Sequence, residues 1–249
     1  MDVKKVYEKN NVVKLLVKGT DAAMMNSVRR AIMNYVPVLA AEDVSIYDNS
    51  SVIFDEFLAH RLAMIPLKSD GKGFKEGDKV KLTLDKDGPC TVYSKDLKST
   101  DPKVEVAAKQ IPIAKLDKGQ KIKLEIDAVF EGGKGHAKWQ PASVGYGELP
   151  LITIGKGCDL CNECVEHCAK HALEVKGKKV TLERPLDCDL CGKCRDICKS
   201  GALNLEYEKG SFLMTVDNYG NHKVKDILMK ALDSLAEKTK VFRKEVSKI

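Results

Sequence analysis

The chain has 249 residues, 43% of them hydrophobic and 31% charged, with 42 Lys and Arg against 36 Asp and Glu for a formal net charge of +6. That length holds one large domain or two to three small ones. No run of about 18 apolar residues occurs, so no transmembrane helix is expected.

Val12 to Val17 reads as a strand, apolar and β-branched, closed by Gly19. Thr20 or Asp21 caps a helix that runs through Arg30 to Tyr35 and stops before Pro37. Its expected apolar face is Met24, Val28, Ala31, Ile32 and Tyr35. Val44 to Ile53 reads as a broken hairpin turning at Asp48-Asn-Ser-Ser51. Phe54 to Ile65 reads as a short helix ended by Pro66.

From Lys68 to Gly135 the period changes to two. Val80, Leu82 and Leu84 alternate with polar residues, as do Ile122, Leu124 and Ile126. Turns fall at Asp87-Gly-Pro89 and Asp117-Lys-Gly119, which together predict an antiparallel β region. Gly132-Gly-Lys-Gly135 reads as a flexible loop leading to the single tryptophan, Trp139.

Eight of the nine cysteines then fall in two runs of identical spacing, Cys158-x2-Cys161-x2-Cys164-x3-Cys168 and Cys188-x2-Cys191-x2-Cys194-x3-Cys198. This is the ligand spacing of bacterial-type ferredoxins, in which the fourth cysteine of each run binds the other cluster. The expectation is therefore two [4Fe-4S] clusters. One is held by Cys158, Cys161, Cys164 and Cys198, the other by Cys188, Cys191, Cys194 and Cys168. A structural zinc site pairs two separated knuckles instead. A disulfide framework fits poorly with an odd number of cysteines and with thiols this close together, which suit a reducing cytoplasm.

The two runs form an internal repeat offset by 30 residues. Cys168-Ala-Lys-His-Ala-Leu173 matches Cys198-Lys-Ser-Gly-Ala-Leu203. The proline that usually follows the fourth cysteine is replaced by Ala169 and Lys199. Each cluster with its thiolates carries about −2, so two lower the net charge to roughly +2. The basic composition is thus no nucleic-acid footprint, and no sequence-specific DNA binding is expected.

Beyond the cysteines, Leu203 to Val216 reads as two strands around Lys209-Gly210, followed by a turn at Asn218-Tyr-Gly-Asn221. His222 to Ile249 reads as a long helix with one apolar seam at Val224, Ile227, Leu228, Ala231, Leu235, Phe242 and Val246. His167 and His171 flank Cys168, either as cluster-tuning groups or as plain surface. Cys90 has no partner at metal spacing and reads as a small hydrophobe. No nucleophile–base set or pair of acids stands in a convincing context, so no catalytic residue is assigned.

Four segments carry a resemblance. Met25-Asn-Ser-Val-Arg-Arg-Ala-Ile32, Val36-Pro37, Asp55-Glu-Phe-Leu-Ala-His-Arg-Leu-Ala-Met-Ile-Pro-Leu67 and Gly135-His-Ala-Lys-Trp139 resemble the alpha-like, D-type assembly subunit of archaeal DNA-directed RNA polymerase. That family is the counterpart of the bacterial alpha subunit's N-terminal domain, and some members carry a ferredoxin-like insert at this place. The resemblance implies an α+β chain in three parts. Residues 1–40 and 208–249 would form a discontinuous dimerisation domain, 41–153 an inserted β-rich domain, and 154–207 a ferredoxin-like Fe–S domain.

It also implies a scaffold role in a cytoplasmic assembly. The chain would pair with the small subunit L, and the pair would receive the two largest subunits and further small ones. Asn26, Arg29, Arg30 and Ile32 would lie at the dimerisation domain and the large-subunit contact. The seam of Val224, Ile227, Leu228, Ala231, Leu235 and Phe242 would pack at the dimer interface. His136, Ala137, Lys138 and Trp139 would face the polymerase. The competing reading is a ferredoxin-type electron-transfer subunit of an oxidoreductase, against which stands the absence of any flavin or nucleotide motif in the rest of the chain.

Overall fold

The structure is a computed structural model that describes residues 1–69 and 73–249; the part of the expected Lys68–Gly135 β region at 70–72 lies outside the described residues. The chain opens with β1 (Asp2–Lys9), β2 (Val12–Lys18), α1 (Ala22–Tyr35), β3 (Val38–Asn49), α2 (Asp55–Ala63) and β4 (Leu67–Lys68). There follow β5 (Lys79–Asp87), β6 (Cys90–Tyr93), β7 (Lys98–Ser99), β8 (Glu105–Val106), β9 (Pro112–Leu116), β10 (Lys121–Glu131) and β11 (Ala142–Ile154). The last part holds α3 (Glu163–Glu166), β12 (Leu173–Lys176), β13 (Lys179–Leu182), α4 (Lys193–Asp196), β14 (Leu203–Asn218) and α5 (Val224–Val246).

The described chain divides into two compact units. The first comprises Met1–Glu8, Lys14–Asn26 and Gly145–Thr215. Its sheet has the order β1-β2-β14-β11. Strand β2 buries every second residue, Val13, Leu15 and Val17, as its alternation predicts. Strand β14 is continuous, where two strands were expected. Gly210 does not turn the chain. It sits inside the strand at φ 72°, and its carbonyl accepts the N–H groups of Gly19 at 2.8 Å and Thr20 at 3.3 Å. Positive φ is open to glycine at little cost, so the strand passes through this position unbroken.

The second unit comprises Lys9–Val13, Ser27–Val144 and Val216–Ile249. A sheet of order β3-β10-β5-β7 forms its centre. Strands β10 and β5 pair antiparallel, with Leu124 opposite Leu84, Ile126 opposite Leu82 and Ala128 opposite Val80. All six side chains are buried in one core with Leu58 and Leu62 of α2. Period two in both strands puts these residues on one face, and the opposite face carries cross-strand pairs such as Lys121 with Asp85 and Asp87, each at 3.3 Å.

Strand β3 corrects the broken hairpin expected over Val44–Ile53. It runs unbroken to Asn49 because its partner is β10, which absorbs two register shifts along the pairing. The Ser50 hydroxyl and N–H both reach the carbonyl of Lys121 where the pairing ends. Helix α2 forms as expected, and Arg61 anchors it by donating to the β9 carbonyls of Ile113 at 3.0 Å and Pro112 at 2.5 Å.

Helix α1 starts where Asp21 accepts the Met24 N–H at 2.7 Å. Its buried face is Met25, Val28, Ala31 and Ile32; Met24 is exposed, one position off the expected face. The Gly132–Gly135 segment is a close approach, not a loose loop. A Cβ at Gly133 would stand 2.0 Å from the Met33 carbonyl oxygen, and Lys134 N–H donates to the Asn34 carbonyl at 3.2 Å. Helix α5 buries only Ile227 and Ala231 completely.

Candidate metal centre

In the first unit the chain between β11 and β14 is built twice. Helices α3 and α4 are single turns that begin 30 residues apart. Three left-handed residues recur at the same offset: Leu160 and Leu190 at φ 59° and 56°, Asn162 and Gly192 at 67° and 80°, His171 and Gly201 at 48° and 62°. The turns they set share hydrogen bonds. Val165 and Arg195 donate to the carbonyls of Asn162 and Gly192, and His171 and Gly201 donate to those of Cys168 and Cys198. The repeat read from the cysteines is therefore a repeat of backbone conformation.

Leucine in the left-handed region costs roughly 1–2 kcal/mol. Both copies accept that cost, and in both it lies between the first and second cysteine of a run. The consequence is a chain that curls, so that three thiols separated by two residues each turn to the same side.

The thiols gather in crossed sets. Cys158, Cys161, Cys164 and Cys198 line one cavity together with Ile154, Asn162, Ser200 and Leu203. Burial pushes the Cys164 thiol up, and the neighbouring Cys198, Cys158 and Cys161 push it the same way. Burial likewise pushes up Cys194, which has Cys188, Cys191 and Cys168 beside it, and Cys188, which has Cys168 and Cys191 beside it. The fourth thiol of each run thus stands with the other run. Among the described residues no group of three or more His, Cys, Asp or Glu side chains is arranged to hold a single metal ion.

Four sulfur donors around a shared space suit a polynuclear iron group, whose irons each take one thiolate. The core of this region is small. Leu173, Val180 and Leu203 are buried in it with Cys164 and Cys194, and Ile152, Ile154, Val165, Leu182 and Leu205 pack half-buried against them. The Cys198 thiol is drawn down by the Ser200 hydroxyl at 3.5 Å and by backbone N–H groups that follow it. Cys168 accepts the Ala172 N–H at 3.3 Å. His167 and His171 are exposed, and the His167 ring bonds the Glu163 carbonyl at 3.0 Å. Cys90 packs against the core of the second unit, in keeping with a small hydrophobe.

A contact missed in the sequence fixes the second run. Lys14 on β2 donates to the Leu186 carbonyl at 3.2 Å and pairs with Asp187 at 3.7 Å, just before Cys188. No local pattern signals it, because the partners are 172 residues apart.

The residues expected at partner surfaces separate by exposure. Ile32, Ile227 and Ala231 are fully buried within the chain. Arg30 is exposed, while Asn26, Arg29, Val224, Leu228 and Leu235 are half-buried. Phe242 is 71% exposed. Trp139 and Lys138 turn inward. The Trp139 indole donates to the Val129 carbonyl at 3.0 Å within a cluster with Val38 and Ala40. Lys138 reaches the Ala41 carbonyl at 2.9 Å and the Glu42 carboxylate, over the Trp139 ring. His136 and Ala137 stay exposed.

A model of the RNA polymerase Rpb3/RpoA insert domain matches residues 44–154. That stretch, with its β3-β10-β5-β7 sheet and α2, places the chain in the class of alpha-like RNA polymerase subunits. Similarity to curated proteins extends beyond it. The DNA-directed RNA polymerase subunit Rpo3 of Archaeoglobus fulgidus is 37% identical over 100% of this chain and 98% of its own length. That of Methanothermobacter thermautotrophicus is 38% identical over 96% of both. That of Methanosarcina acetivorans is 35% identical over 90% of both. The chain belongs to the Rpo3 family of archaeal RNA polymerase subunits. No helix among the described residues is long and apolar enough to cross a membrane.

Proposed function

We propose that this chain is a non-catalytic assembly subunit of a DNA-directed RNA polymerase that carries two [4Fe-4S] clusters in residues 154–207. The similarity to Rpo3 subunits over nearly the whole length supports the polymerase role and favours it over the electron-carrier reading. In this reading 1–40 and 208–249 form the dimerisation domain, 41–153 the inserted domain. The small subunit L pairs with the chain, and the two largest subunits build on the pair.

The observation that carries the cluster reading is the company of Cys198, which lines a cavity with Cys158, Cys161 and Cys164 from the other run. Cys188, Cys191, Cys194 and Cys168 make the second set. A bound cluster supplies one-electron redox chemistry and metal–thiolate bonds to the loop around it. The protein's residues do the rest. Leu160 and Leu190 aim the thiols, Leu173, Val180 and Leu203 exclude water from one side, and Lys14 ties the second run to β2.

The role assigned to the clusters is structural. The fully buried core here is Leu173, Val180, Leu203 and the two thiols Cys164 and Cys194, which is slight for a segment of about fifty residues. Cluster binding free energy is then folding free energy. Anaerobic reconstitution should protect residues 154–207 from proteolysis, and equal cutting of apo and reconstituted chains refutes the structural role.

A further inference from the structure

The two thiol sets are near copies, but one hydroxyl distinguishes them. Ser200 Oγ lies 3.5 Å from Cys198 Sγ, at the rim of the cavity shared with Cys158, Cys161 and Cys164. Its place is fixed by backbone. Gly201 at φ 62° turns the chain, and its N–H donates to the Cys198 carbonyl at 3.0 Å. The first repeat builds the same turn. His171 at φ 48° donates its N–H to the Cys168 carbonyl at 2.8 Å. The residue equivalent to Ser200 there is Lys170, which has no hydroxyl.

We propose that Ser200 is a tuning residue that makes the two cluster sites unequal in reduction potential. The inference rests on the cluster reading above. A thiolate bound to iron has no proton to give, so in the loaded protein the hydroxyl donates and the sulfur accepts. Such a bond draws electron density from the sulfur. It stabilises the reduced cluster, which carries one more negative charge, more than the oxidised one. The site of Cys158, Cys161, Cys164 and Cys198 therefore has the more positive potential. A one-electron reductant fills it first, taking that cluster from the 2+ to the 1+ state with no proton moved and no bond broken. The site of Cys188, Cys191, Cys194 and Cys168 lacks this bond and is reduced second.

The bond is exposed, so its removal shifts a potential without removing a ligand. The test is an anaerobic redox titration followed by electron paramagnetic resonance on the reconstituted full-length chain, with iron counted in each sample. In Ser200→Ala, one of two potentials moves to more negative values and the other stays. In Ser200→Thr, which keeps the hydroxyl, both stay at their original values. Lys170→Ser is compared with Lys170→Ala, so that loss of the ammonium is common to both, and the lower potential is more positive in Lys170→Ser than in Lys170→Ala. About eight iron per chain with potentials indifferent to Ser200→Ala overturns this proposal alone. A parent chain that takes up no cluster overturns the cluster reading and this proposal with it.

Discussion

Leu160 and Leu190 hold the same left-handed conformation, φ 59° and 56°, at equivalent points of two consecutive turns. Neither residue type nor hydrophobicity favours that region of backbone space. Glycine accepts it freely and β-branched residues resist it most. Leu160→Val and Leu190→Val should each destabilise the 154–207 region by roughly 1–2 kcal/mol, from added strain where the region is already strained. Leu160→Gly should leave it folded. Limited proteolysis of reconstituted protein reads the difference, and equal resistance of all three variants would show that the turns are not strained.

Trp139 joins the close of the inserted β region to β10 through a buried bond to the Val129 carbonyl. Trp139→Phe keeps most of the ring but leaves that carbonyl without its donor, at a cost of roughly 1–3 kcal/mol. Trp139→Ala should cost roughly 3–5 kcal/mol. Urea unfolding midpoints give both values.

Gly133 and Gly145 make a matched pair. A Cβ at Gly133 meets the Met33 carbonyl oxygen at 2.0 Å, whereas one at Gly145 meets nothing within 4 Å. Gly133→Ala should destabilise by roughly 1–3 kcal/mol, since backbone must move to admit the methyl group. Gly145→Ala should be close to neutral. A neutral Gly133→Ala would contradict the close approach seen at the end of α1.

His222 is buried, with its ring 3.2 Å from the Pro37 carbonyl and 3.4 Å from the Lys230 ammonium. Burial lowers its pKa below 6.5, and the charge of Lys230 lowers it further, against the opposing pull of the Pro37 and Ser69 backbone. The folded state therefore binds this proton less readily than the unfolded chain, whose histidine titrates near 6.5. Stability from His222 is complete above that pH and falls as pH drops below it. His222→Gln should flatten this part of the stability curve between pH 7 and 5. An unchanged slope would remove His222 as its cause.

Phe242 exposes 71% of its surface on the last turns of α5, with Val241 and Val246 also exposed nearby. Phe242→Asp should leave the thermal midpoint of the isolated chain within about 2 °C, as surface changes usually do. It should reduce recovery of other polymerase subunits with the chain if the α5 seam is a partner surface. Full recovery would show that the outer half of α5 is not one.

Much of this was legible in the chain because side-chain periodicity and backbone conformation agree. Val80, Leu82 and Leu84 share a face with period two, and the structure pairs them with Ala128, Ile126 and Leu124. The cysteine spacing is local, so it survives any tertiary context. The misreadings have one physical origin, which is that turn-forming residues also serve in other places. Asn49, Ser50 and Ser51 suggested a hairpin turn but end a long strand, with Asn49 donating to the Ile53 carbonyl at 2.8 Å. Gly210 suggested a turn but lies within β14, and Gly133 suggested slack but is a point of contact. Ser200 carried no signal beyond its alignment with Lys170.

The cysteine sets and the polymerase family meet in one measurement. Polymerase recovered anaerobically on a tagged copy of this chain should contain about eight iron and about eight acid-labile sulfide per chain, the content of two [4Fe-4S] clusters. Recovery of the other polymerase subunits with the chain but with zinc and no sulfide would contradict the account.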